Sequence, residues 1–176
     1  MVLNFSANGQ NTSFISNDNN ISGQYNVGIG IGTLKSGINS GSYNTASGYF
    51  SLNNNANGSY NTAAGYYSLK NNISGNFNVT NGYKTLASNT TGGYNTAIGT
   101  NALIANTVGN NNVATGTNAL FSNISASDNI ATGFQSLYNN TIGYNNIATG
   151  SNSLFSNISG INNIATGSNA LFSNIS

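Results

Sequence analysis

Two carboxylates, three ammonium groups and many hydroxyls and carboxamides are all the reactive chemistry this chain carries. Asp18 and Asp128 are the only acids, Lys35, Lys70 and Lys84 the only cations, and Arg, His and Cys are absent. General acid–base catalysis needs a tuned carboxylate, imidazole or thiol in reach of the reacting group, and the two Asp lie in different parts of the chain. Ser and Thr are abundant, but no residue could activate one in the manner of a Ser-His-Asp triad. The expected protein is therefore not an enzyme, with no catalytic, cofactor-binding or metal-ligating residues and no cofactor.

Three weaker signals point to bland structure. Gly28-Ile29-Gly30-Ile31-Gly32 has the glycine spacing of a phosphate cradle, but no helix follows to supply the dipole, so a turn or bulge is the expected reading. Calcium-binding β-rolls place an Asp in each turn, whereas the turns here carry Asn and Ser. Acceptor sequons recur at Asn72, Asn89, Asn123 and Asn157, but a chain this rich in Asn, Ser and Thr makes them without selection, and glycans ~4.8 Å apart would collide. At most a few are expected to be occupied. Thr115, Thr132, Thr149 and Thr166 should form a column of the kind ice-binding solenoids display, or simply reflect β propensity.

Charged residues make up 3% of the chain and the net charge is +1. Counterion release on nucleic acid and attraction to anionic lipid both need clustered cations, so neither partner is expected. No run approaches the length of a membrane-spanning helix, and Met1–Asn4 lacks the basic start and apolar core of a secretory signal. More than one residue in five is Asn, a composition shared with disordered, prion-like tracts. Disorder does not require a Leu at a fixed interval; a stacked core does.

That interval organises the chain. From Tyr94 the sequence reads as one 17-residue unit repeated, and units begin at Tyr25, Tyr43, Tyr60, Phe77, Tyr94, Asn111, Asp128, Asn145 and Asn162. The first is one residue longer, with the insertion in Lys35–Ser42, and the last is incomplete. Residues 1–24 form a degenerate leading coil and 25–176 a nine-unit repeat domain. Position 2 is always Asn, as at Asn95, Asn112, Asn129, Asn146 and Asn163. Position 6 is always Gly, as at Gly99, Gly116, Gly133, Gly150 and Gly167. Position 10 is always Leu, as at Leu103, Leu120, Leu137, Leu154 and Leu171. Gly suits positive φ or close approach, Asn suits a hydrogen-bonded ladder along the stack, and Ala at position 4 and Leu at position 10 face inward. β-branched residues at positions 3, 5 and 14 favour strand over helix. Each unit should hold about two short strands of roughly four to six residues. The fold class is thus all-β, a parallel β-solenoid of 17-residue coils, with nine units on the order of 43 Å long.

A roll this narrow has a core one side chain thick, against ~1 to 2 kcal/mol per residue of backbone ordering. A second apolar set lies at position 11 (Ile104, Phe121, Tyr138, Phe155, Phe172) and position 14 (Ile73, Ile124, Ile158, Ile175). Both sets want burial, so a homo-oligomer is expected, with Phe121, Tyr138, Phe155 and Phe172 at its interface. The last unit is regular and uncapped, which predicts that the natural polypeptide continues.

The motif Asn95-Thr96-Ala97-Ile98-Gly99-Thr100-Asn101-Ala102-Leu103 resembles the head repeats of YadA-like trimeric autotransporter adhesins and related Asn-rich repeats of bacterial surface and phage fibre proteins. The resemblance covers about residues 25–176. It implies a trimer of left-handed β-rolls around a threefold axis, although a period of 17 is long for that family and neither stalk nor anchor is present. The function it suggests is a structural or adhesive extracellular fibre, at a cell or virion surface, whose partners are copies of itself (a trimer or a filament) and a host or surface ligand. A viral or phage fibre shaft and an ice-binding solenoid are the alternatives.

Overall fold

The computed structural model describes residues 25–35 and 40–176, so the leading coil 1–24 and part of the insertion in Lys35–Ser42 lie outside the described residues. Each unit contributes one strand: β1 Val27–Ile29, β2 Thr45–Ser47, β3 Thr62–Ala64, β4 Val79–Asn81, β5 Thr96–Ile98, β6 Val113–Thr115, β7 Ile130–Thr132, β8 Ile147–Thr149 and β9 Ile164–Thr166. They form one parallel sheet in sequence order, and like positions pair throughout, as Ala97 with Ala114 and Ala114 with Ala131. The described chain is therefore an all-β parallel solenoid with a 17-residue step.

The expected second strand per unit is not found, and the backbone explains why. Gly at position 6 sits at φ between +118° and +140° and ends the strand. Positions 1, 8 and 10 also take positive φ, at Tyr94, Asn101 and Leu103 in the fifth coil for example. Residues in that region cannot lie in a pleated strand. The chain turns three times where a strand was expected, yet bonding between coils persists through the turns. Leu103 N–H donates to Ala119 C=O at 3.0 Å and Asn118 N–H to Thr100 C=O at 2.9 Å. Coil-to-coil pairing thus survives outside regular strand geometry.

Inside, position 10 makes a column of leucines fully shielded from Leu52 to Leu154, each covered by the coil above; Leu171 in the last coil is half exposed. Position 4 faces position 9 across this core. Where position 4 is Gly28, an added Cβ would meet Thr33 Oγ1 of the same coil at 2.8 Å. Where it is Thr80, the buried hydroxyl bonds Ser68 Oγ at 2.6 Å, which in turn bonds Thr85 Oγ1 at 2.9 Å. The polar exception in the core is satisfied by its neighbours.

Carboxamides form the other half of the interior. At position 2, Asn112 donates from its backbone N–H and from Nδ2 to Asn95 Oδ1 at 3.0 and 3.1 Å, and Asn129 repeats both bonds to Asn112 Oδ1. Asn112 Nδ2 also donates to Ala126 C=O at 2.8 Å, the position-16 carbonyl of its own coil. A second ladder runs at position 13: Asn123 Nδ2 donates to Asn106 Oδ1 at 2.7 Å and to the same Ala126 carbonyl at 3.0 Å. Both ladders are buried. Position 16 is usually Gly because the next coil's carbonyl passes so close. A Cβ on Gly75 would lie 2.2 Å from Gly92 O.

Truncating one carboxamide in mid-stack strands several buried groups at once. Asn112→Ala should destabilise by about 2–4 kcal/mol, since each buried group left unsatisfied costs about 1–3 kcal/mol. Asn54→Ala, which removes an exposed bond to Asn71, should change stability by less than about 0.5 kcal/mol. Denaturant melts of the two variants compare them directly, and equal losses would contradict the buried-ladder account.

Candidate functional surface

The outward side chains fall into columns because every coil repeats the same backbone. On the sheet, positions 3 and 5 flank the buried position 4 and face solvent, so each strand shows an exposed–buried–exposed alternation or a close variant of it. Position 3 is Val, Thr or Ile in all nine coils, and Val27, Val79, Ile130, Ile147 and Ile164 are among the exposed large apolar residues. At position 5, Thr132, Thr149 and Thr166 are exposed and Thr115 half-buried, in register at one strand spacing. The predicted threonine column therefore exists, with an isoleucine column beside it.

Aromatic columns line the other corners. Tyr25, Tyr43, Tyr60, Phe77 and Tyr94 stack face to face at 4.8–5.0 Å. Phe121, Tyr138, Phe155 and Phe172 do the same at 4.9–5.1 Å. These last four were expected to face a neighbouring chain. The structure brings them into one continuous ladder in which three are half-buried and Phe172, in the end coil, is exposed. Stacking within the chain already covers their ring faces and leaves the edges outward.

A third aromatic group is denser. Position 7 supplies Tyr49, Tyr66 and Tyr83, stacked at 5.2–5.3 Å, and position 8 adds Phe50 and Tyr67 beside them. Lys70 Nζ sits 4.4 Å from the Tyr67 ring centroid and Lys84 Nζ 5.2 Å from that of Tyr83. A side-chain hydrogen bond with Tyr67 pushes the Tyr66 phenol above its ordinary value.

No cluster that could hold a metal ion occurs among the described residues, and no helix there is long and apolar enough to cross a membrane. Asp128 is exposed and accepts a bond from Asn111 Nδ2 at 3.0 Å. Gly28–Gly32 begins in β1 and runs into the following turn, with no helix N-terminus behind it. The sequons take a different place from the one the sequence suggested. Asn72, Asn89, Asn123 and Asn157 are fully buried members of the position-13 ladder, their Nδ2 atoms committed to two acceptors each.

No family model, no curated protein and no solved structure matches this chain.

Since Nδ2 is the atom a glycan would occupy, folded protein from a glycosylating host should carry no sugar at Asn72, Asn89, Asn123 or Asn157. Mass spectrometry of tryptic or chymotryptic peptides reads this site by site, and a glycan on Asn123 in folded material would contradict the ladder.

Proposed function

We propose that this chain is a non-catalytic segment of an extracellular fibre, at a cell or virion surface, which assembles with copies of itself and presents an adhesive wall. The observation that supports this reading is the strict register of nine coils, in which each side-chain type makes a straight column. Such a wall spends its sequence on shape rather than on a pocket. The resemblance to trimeric adhesin heads makes the trimer of left-handed rolls the assembly proposed.

The sheet face is the contact surface put forward, in preference to the position-11 ladder whose rings already cover one another. It is flat, β-branched and almost free of charge. The strip from position 1 to position 6 over nine coils is on the order of 700 Å², close to what each partner contributes to a stable interface. Each coil buries at most one Leu and three Ala of apolar core, so covering this face adds apolar burial the single roll lacks.

Sedimentation velocity should find a species three times the 18.0 kDa chain mass, converted to monomer by Ile130→Lys together with Ile147→Lys but not by Phe155→Ser. A wild-type monomer at micromolar concentration would sink the proposal.

One observation favours a second reading. Ile130, Ile147 and Ile164 beside Thr132, Thr149 and Thr166 form a regular array of methyls and hydroxyls that a monomer would leave open to ordered water, the arrangement an ice-binding face needs. The two readings compete for the same surface. Thermal hysteresis by a monomer, abolished in Thr149→Leu, would favour ice binding; none, or activity unchanged by the substitution, removes it.

A further inference from the structure

Position 8 departs from its usual residues in three successive coils in a way the fold does not require. Position 8 takes φ between +52° and +70° in every coil. Five of the nine coils fill it with Gly32, Asn101, Asn118, Asn152 or Asn169, the residues that tolerate such backbone best. Gln135 is an isolated exception. The second, third and fourth coils place Phe50, Tyr67 and Lys84 there, at φ +52°, +55° and +54°. A bulky side chain in this region costs roughly 1–3 kcal/mol, and strain of that kind concentrates where function holds it.

The same three coils carry Tyr49, Tyr66 and Tyr83 at position 7, each 40–45% exposed. The column then stops, because position 7 becomes Thr100 and Thr117 in the next two coils. Two of the chain's three lysines lie on these rings. The only side-chain carboxylate among the described residues is Asp128, three or more coils away and thus beyond ~14 Å, farther than the ~8 Å over which salt lets exposed charges interact. Five aromatic rings and two ammonium groups thus share one corner with no side-chain carboxylate of the described residues in reach.

We propose that this corner, built by Tyr49, Phe50, Tyr66, Tyr67, Lys70, Tyr83 and Lys84, binds an anionic saccharide. The ammonium groups take its carboxylate or sulfate, and the aromatic edges and phenols take the C–H and hydroxyl faces of its rings. The site runs along the stack, so a linear chain laid parallel to the coil axis meets like groups at each coil. The proposal gives the adhesive reading a ligand, yet it is tested on the single chain and does not depend on the state of assembly.

The experiment titrates the full chain with three hexasaccharides, one of uronic acid, one sulfated and one of neutral glucose, following tyrosine fluorescence and heat. The expected result is binding of an anionic hexasaccharide, the uronic and sulfated arms telling carboxylate from sulfate, with neutral glucose at least ~10-fold weaker. Lys70→Gln with Lys84→Asn should weaken anionic binding about tenfold, consistent with two ion pairs made by half-buried surface lysines. Tyr67→Asn should weaken it while raising the melting temperature, since Asn suits the backbone of that position and is the residue of later coils. Unaltered binding in both variants, equal affinity for the neutral sugar, no binding at all, or tighter binding of duplex DNA or an acidic peptide each overturns the proposal. Sedimentation of the same samples keeps loss of binding apart from loss of assembly.

Discussion

Two carboxamides closing on one carbonyl hold each coil in shape. In the sixth coil Asn112 and Asn123 approach from opposite sides of the chain and both donate to Ala126 C=O. In the third, Asn61 and Asn72 do the same to Gly75 C=O. These bonds tie the start of a coil to its last turn, and the remaining Oδ1 and Nδ2 valences run up and down to the adjacent coils. A hydrogen bond exchanged with water is worth only about 1 kcal/mol net, but a buried amide left without its partner loses the full cost of its desolvation. The clamp therefore specifies one closed path for the chain: any slipped register strands buried amides without their partners.

The backbone that this path demands is an unfavourable one. Leucine at position 10 has φ near +50° in every coil, a region in which a residue with a Cβ is strained. Inverting the backbone there lets the side chain point into the roll from a turn, where it stacks on the Leu of the coils above and below. Burial of a Leu side chain contributes roughly 1.5–3 kcal/mol, enough to hold the strained angle. Gly at position 6 meets both demands at once, since a Cβ on Gly116 would lie 2.5 Å from Gly133 O and its φ is +134°. Interior packing and outer decoration are separable in such a design. Once the amides, Leu and Gly are set, the outward positions vary from coil to coil without disturbing the path, and so the aromatic and lysine content of the second to fourth coils differs from that of the rest.

Much of this was legible in the residues. The Asn, Gly and Leu columns at positions 2, 6 and 10, the inward Ala, the parallel stacking and the threonine column all follow from a period that no disordered chain would keep. Two features were not legible. The position-13 ladder escaped because the one-residue insertion in the first coil hides an otherwise constant Asn from Asn55 to Asn174, and because the recurring Asn-x-Ser/Thr pattern reads as a surface signal. The single strand per coil escaped because β propensity at position 14 is indifferent to whether its neighbours take positive φ. Propensity describes a residue; the angle at Leu103 or Asn101 is set by the need to close the loop.

The sequence by itself determined that identical coils stack and which side chains repeat, since only a repeated structure places a Leu, a Gly and an Asn at the same interval nine times. What the tertiary structure alone decided is the direction those side chains take. Position 13 could have faced water and carried sugar, and the position-11 aromatics could have stood apart from one another. Closing a 17-residue coil through positive-φ corners turns the first inward onto the position-16 carbonyl and the second onto each other, because the orientation of a side chain depends on the path of the backbone around the whole coil and not on the residue that carries it.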